Sequence, residues 1–296
     1  MFERGRWIWT VAAILVMASL FSPARADDPA TPQRIQEEVW ALLTPLPTFG
    51  YVARPVGDGP FPLVIINHGV GLKATERSFF PLTEFRDLAK WFAQRGYFVV
   101  APVGPGYGAS AIDIPERAIF GPFFSKIGKC ENPNFRDAGL AVAQMDLWII
   151  DFLAAEKRIV PKDVIIVGQS AGGWGSIALS SINPGSVKAI ITFGAGRGGR
   201  VGGKPNSNCA PDKLVQAAAD FGRTSRIPML WVYNENDTYF GPELSKRMHQ
   251  AFVGAGGKAE YRLLPPFGDD GHFMICTPSA IPVWSPVVSK FLEEQG

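Results

Sequence analysis

The run Val164-Ile165-Ile166-Val167 stops on Gly168-Gln169-Ser170-Ala171-Gly172, and Gly173, Trp174 and Gly175 follow at once. Four consecutive branched apolar residues leave no polar face. The segment therefore reads as a strand covered on both sides, as the strands of a parallel sheet are. Parallel neighbours need a crossover between them, usually a helix, and that demand constrains the rest of the chain more than any other single feature. With 32 glycines in 296 residues, Gly-x-Ser-x-Gly arises by chance roughly 0.2 times. Its weight comes from its place at the end of a buried strand.

The remaining pattern meets the demand. Residues 61–67 form another buried strand, which ends in His68-Gly69-Val70-Gly71. Phe85, Leu88, Ala89 and Phe92 fall at helical spacing, with Gly96 as a stop. Residues 97–103 are a strand leading into "GPGYGAS", and a long helix is predicted from Phe135 to Glu156, with Ala138, Ala141, Met145, Trp148 and Phe152 along one stripe. A short helix follows the serine as far as Ile182. Strands are predicted over 187–193, 227–233 and 259–265, with a helix from Pro242 to Phe252 and a closing helix from Ile281 to Phe291. The fold class is α/β: a mostly parallel central sheet flanked by helices on both faces, wound in right-handed β-α-β units. No repeat or composition break divides residues 27–296, which read as a single domain.

Two connections, 109–134 and 194–212, lack periodicity. Both follow strands, so both should emerge at the carboxyl edge of the sheet, where open α/β folds bind ligands. Within the second, Gly194-x-Gly196-x-x-Gly199 has the spacing of a dinucleotide-binding turn. That turn requires a helix to begin there, whereas Gly202, Gly203 and Pro205 follow. It reads as a glycine-rich loop, and no cofactor is expected.

The first 26 residues carry Arg4 and Arg6, an apolar stretch from Trp7 to Phe21, and Ala24 and Ala26 in an A-x-A arrangement. That is the layout of a secretory signal peptide cut after Ala26, too short in its apolar part to span a bilayer. An exported protein, periplasmic or secreted and without a stable membrane anchor, is expected. Arg4, Arg6 and Arg25 against Glu3 supply the whole formal charge of +2, so the remainder is balanced. No basic block suggests nucleic acid. Three cysteines leave one unpaired. Cys130 and Cys209 sit in loop-like sequence, "GKCENPN" and "NSNCAPD", which favours a Cys130–Cys209 staple in an oxidising compartment. No Cys-x-x-Cys or His-x-x-x-His spacing points to metal.

A strand-to-helix turn flanked by glycines would present the Ser170 hydroxyl above the sheet beside a helix N-terminus. Serine is a poor nucleophile at its own pKa and needs a base. The chain has three histidines. His68 precedes a glycine at a strand end, and His249 lies in the helical "ELSKRMHQAF", on a solvated face. His272 sits in "PFGDDGHFMI", a loop after the last strand from which a side chain can reach back over the sheet, so it is the expected base. A base of this kind needs a carboxylate to fix its tautomer. Asp237, just beyond a strand end in "WVYNENDTYFGP", fits the order Ser…Asp…His. Glu235 is a nearby competitor, while Asp269 and Asp270 stand too close to His272 in the chain and are expected to shape its loop.

These residues resemble the α/β-hydrolase superfamily over essentially the whole mature sequence: His68-Gly69 after the third strand, "GPGYGAS" after the fourth, "GQSAGG" at the elbow, Asp237 and His272. Within it the chain looks most like the dienelactone-hydrolase-like and secreted esterase branches. The resemblance implies a serine carboxylic ester hydrolase working through an acyl-enzyme on Ser170, with the backbone N–H groups of Val70 and Ala171 as the oxyanion hole. It implies no metal or organic cofactor. True dienelactone hydrolases carry cysteine as nucleophile, so Ser170 favours ordinary esters. Tyr107, Trp174 and Phe120, in "AIFGPFF", are expected to supply an aromatic wall for a small or polymeric ester. A cutinase-like polyester hydrolase or an acyltransferase would use the same three residues, and a non-catalytic binding member of the fold is the reading from another class.

Overall fold

The computed structural model describes residues 33–71, 73–110 and 121–296; the leader and its cut site lie outside them. In β3, Phe61–Asn67, each step along the strand reverses the face that a side chain enters. Leu63 and Ile65 join one core and Val64 and Ile66 the other. All four are fully or almost fully shielded from solvent, and each contributes on the order of 1.5–3 kcal/mol by leaving water. Both faces are therefore covered, and the unbroken apolar run is the consequence.

Four more strands read the same way, β4 (Phe98–Pro102), β5 (Ile159–Gln169, from Val164 onward), β6 (Val187–Phe193) and β7 (Met229–Asn234), while β8 (Ala259–Leu264) is the far edge strand and only partly buried. Two strands that no apolar run announces precede them, β1 (Ile35–Leu42) and β2 (Thr48–Pro55). β1 is the sheet edge and carries Glu37 and Glu38, so it lacks the two-sided burial that marks the others. The eight strands run in the order β1-β2-β4-β3-β5-β6-β7-β8. β1 and β2 are antiparallel to their neighbours, and every pairing from β4 to β8 is parallel.

The helices are α1 (Ala74–Ser78), α2 (Arg86–Ala93), α3 (Phe135–Ala155), α4 (Ala171–Ile182), α5 (Pro211–Gly222), α6 (Pro242–Gly254) and α7 (Ile281–Glu294). One core holds Met145 of α3, Trp174 of α4, Phe221 of α5 and Phe252 of α6. The other holds Phe92 of α2 and Trp284 of α7. The sheet is thus covered on both faces, as the alternating pattern requires. α3 begins at Asn134, whose side chain accepts the Asp137 N–H at 3.0 Å. α5 is an addition to the sequence pattern. Pro211 stands in its first turn, and Leu214, Ala218 and Phe221 are its buried stripe.

Both aperiodic connections leave the carboxyl edge. The described part of the first contains the 3₁₀ turns Gly108–Ser110, at its start, and Gly121–Phe124, and a two-residue ribbon, Gly128–Lys129 with Asn132–Pro133. The second holds the turn Val201–Gly203 and no dinucleotide-type helix start. A disulfide between Cys130 and Cys209 ties the ribbon to the residues just before α5; Cys276 is the free cysteine among the described residues.

Candidate active site

β5 ends at Gln169 and α4 starts at Ala171, so the whole change of direction falls on Ser170, at φ 54° and ψ −118°. A non-glycine residue held there costs on the order of 1–3 kcal/mol and persists only when its surroundings fix it. Three hydrogen bonds do so. Ser170 N–H donates to the Phe193 carbonyl of β6 (2.9 Å), and the Ser170 carbonyl accepts from Trp174 (2.9 Å) and Gly196 (3.0 Å). Gly172 is needed for a different reason. A Cβ there would stand 2.3 Å from the Asn67 carbonyl oxygen, so only glycine lets α4 start against the end of β3.

His272 opens the 3₁₀ turn Gly271–Cys276, in the loop after β8. Its own loop and two other segments hold it. Its N–H donates to Asp270 Oδ1 (3.0 Å), which also accepts the Thr238 N–H (3.1 Å). Its carbonyl accepts from the Gln169 amide at 3.1 Å, and the Tyr239 ring stacks on its imidazole with centroids 4.0 Å apart. His272 Nδ1 lies 3.0 Å from Asp237 Oδ2, both side chains being buried. The other oxygen, Asp237 Oδ1, accepts the N–H groups of Tyr239 (2.7 Å) and Phe240 (2.9 Å). A carboxylate already facing two donors acts as acceptor on both oxygens. The proton therefore belongs on Nδ1, which leaves Nε2 with its lone pair. Gly194, at φ +53°, passes beside this pair; a Cβ would approach Asp237 Oδ2 and His272 Nδ1 to 2.9 Å each.

The structure brings Asp237 and His272 together and places Ser170 and His272 on one cleft of about 420 Å³. Gly69 and Val70 also line it, with Phe79, Phe80, Tyr239 and Phe273 among the walls. Glu235, the competing carboxylate, is exposed. Val70 also lines, together with Ala171, a second cavity of about 20 Å³, room for one water.

Of the expected aromatic wall, Trp174 belongs to the core: it is fully buried, packs against Phe135 and Phe221, and donates its indole N–H to the Phe135 carbonyl at 2.8 Å. Four residues beyond Ser170 on α4, it occupies the helix face turned toward α3. Tyr107 is likewise buried and lines the small cavity rather than the cleft. Burial pushes its hydroxyl up to about 12. Phe120 lies outside the described residues. His249 departs from the solvated face expected for it. It is half-buried between Trp231 and Tyr261, with Nε2 2.9 Å from the Ala259 carbonyl.

His68 is a clip. Its Nε2 accepts the Gly104 N–H (2.8 Å), so its Nδ1 carries the proton and donates to the Gly69 carbonyl (2.6 Å). Burial lowers its pKa to about 4, and the ring stays neutral while it joins the ends of β3 and β4 beside Val70. Arg197, also buried, donates to the carbonyls of Phe123 (3.1 Å), Phe124 (3.2 Å) and Lys126 (3.4 Å), tying the second long loop to the first. The sequence pattern does not single out Gln169, Tyr239 or Arg197, and it marks Gly194 only as part of a glycine-rich loop. Their proximity to the motifs, one residue before Ser170 and two after Asp237, is the only signal for the first two.

Comparison with known proteins bears on the family and the fold. The model of the dienelactone hydrolase family matches residues 49–272. A dienelactone hydrolase candidate from Klebsiella pneumoniae subsp. pneumoniae MGH 78578 is 23% identical and superposes with a TM-score of 0.59, over 88% of this chain and 99% of that one. Esterase Pf2001 of Pyrococcus furiosus is 13% identical, with a TM-score of 0.58 over 88% of this chain and 94% of its own. An acylaminoacyl peptidase of Pyrococcus horikoshii is 14% identical (TM-score 0.60), covering 89% of this chain and 42% of the peptidase. At these identities the likeness is one of fold, the α/β-hydrolase fold. No curated protein sequence matches.

Proposed function

This chain belongs to the dienelactone hydrolase family, and we propose that its hydrolase chemistry is the cleavage of carboxylic esters through an acyl-enzyme on Ser170. The observation that carries the reading is a single cleft lined both by Ser170, on a strained elbow, and by His272, its imidazole held on Asp237. In this reading His272 Nε2 takes the hydroxyl proton as Ser170 Oγ attacks the ester carbonyl. Asp237 stabilises the imidazolium that forms. The N–H groups of Val70 and Ala171 receive the oxyanion, where loss of one donor costs roughly 3–4 kcal/mol in a serine hydrolase. His272 then protonates the leaving alkoxide, and a water activated by the same nitrogen releases the acid. The test is labelling with a fluorophosphonate probe. Wild-type protein should be labelled, and Ser170→Ala and His272→Ala should not. A folded wild-type protein that stays unlabelled sinks the proposal.

Export forms part of the same reading. The leader pattern and the Cys130–Cys209 bond both suit an oxidising compartment outside the cytoplasm. Protein recovered from cells should begin at Asp27 by intact mass; a chain retaining Met1 would refute export with cleavage.

A further inference from the structure

The cleft has a one-sided chemistry. Among its described lining residues are two carboxylates, Glu76 and Glu84, and no lysine or arginine. Two neighbouring cations, Arg77 and Arg200, hold partners of their own, and Arg200 also lies over the Tyr239 ring, 5.2 Å from its centroid. Arg77 donates to the Gly71 carbonyl at 3.1 Å, and Arg200 faces Asp270 at 3.6 Å. Lys73 stands 4.0 Å from Glu76, but both side chains are well exposed, so solvent and salt screen the pair. Glu84 faces the Cys276 thiol, which burial and the Glu84 carboxylate keep in its neutral form. A neutral thiol leaves the charge of Glu84 uncompensated.

The other walls are rings. Phe79 and Phe273 leave 83% and 44% of their surface exposed and Phe80 lines the cleft with them, whereas the Tyr239 ring is already stacked on His272 and approached by Arg200. An aromatic face attracts a cation through its quadrupole, and a carboxylate beside it adds direct attraction. The same carboxylates repel an anion, and an uncharged group gains only apolar contact. We propose that this cleft selects esters bearing an ammonium or quaternary ammonium group over neutral and anionic esters of the same shape. The inference rests on the esterase reading and goes further, to the class of substrate.

Three isosteric aryl acetates test it: 3-(trimethylammonio)phenyl, 3-tert-butylphenyl and 3-sulfonatophenyl acetate, with kcat/KM of each divided by its rate of hydrolysis by hydroxide. The cationic ester should exceed the neutral one at least tenfold, and the anionic ester should be the poorest. Glu84→Gln should reduce the cation-to-neutral ratio several-fold, a quantity that a general loss of folding or activity does not move. Equal values for all three esters, or a preference for the sulfonate, overturn the inference and leave the esterase reading standing. Labelling of Ser170 by the fluorophosphonate without turnover of the cationic acetate also overturns it. Absence of both turnover and labelling overturns the esterase reading itself.

Discussion

In the proposed mechanism His272→Ala should lower kcat for ester hydrolysis by about a millionfold, Ser170→Ala should do the same, and the double variant should be no worse than either. Serine and base act as one unit, so removing either leaves only binding and the oxyanion donors. Asp237→Asn costs less, about 10⁴-fold, for a reason visible in the hydrogen bonds. Asp237 Oδ1 accepts from the N–H groups of Tyr239 and Phe240. An asparagine must turn its carbonyl oxygen toward those two donors, which points its NH₂ at His272 Nδ1. The imidazole then has to accept at Nδ1 and carry its proton on Nε2, the nitrogen that should take the serine proton. Steady-state kinetics with 4-nitrophenyl acetate read all four variants. Activity of His272→Ala within tenfold of wild type would remove His272 from the role of base.

Removing the Cys130–Cys209 bond has the largest expected effect on stability. The two cysteines are 79 residues apart, and in the chain-entropy account a loop of that length raises unfolding free energy by about 4.5 kcal/mol. Total stabilities of domains are about 5–15 kcal/mol, so the Cys130→Ser, Cys209→Ser variant should lose a large part of it. The bond lies where the native state also invests in tertiary contacts. Cys209 is buried, its N–H donates to the Gly198 carbonyl, and Arg197 clamps the neighbouring loop. Urea unfolding with and without the bond measures the difference. A change under 1 kcal/mol would mean that the reduced, unfolded chain is already restrained in this region.

What the sequence makes legible follows from how each element is buried. β3 to β7 are covered on both faces and therefore appear as apolar runs, while the edge strand β8 is only partly buried; α2, α3, α6 and α7 show their stripes. β1 and β2 pair antiparallel at one end of the sheet, and the charged edge strand β1 has no such signature. Ser170, Asp237 and His272 stand out because each sits at a strand end in a recognisable order. The direction of Trp174 was hidden, since the phase of α4 decides it. So were the roles of Gln169 and Tyr239, whose contacts with His272 span 103 and 33 positions of the chain. No local pattern can encode a contact of that range.

The order of the strands has a further bearing on how the chain becomes competent. Ser170 stands at the end of β5 near the middle of the sheet, whereas His272 follows β8, the opposite edge from β1. Between them lie two parallel strands, each reached only through a helical crossover, and such non-local pairing is slow to form. A chain that has assembled only as far as β6 has its elbow held on Phe193 but lacks the proposed base. The complete pair arrives with the last strand to be synthesised, so a partly folded chain would be hydrolytically silent.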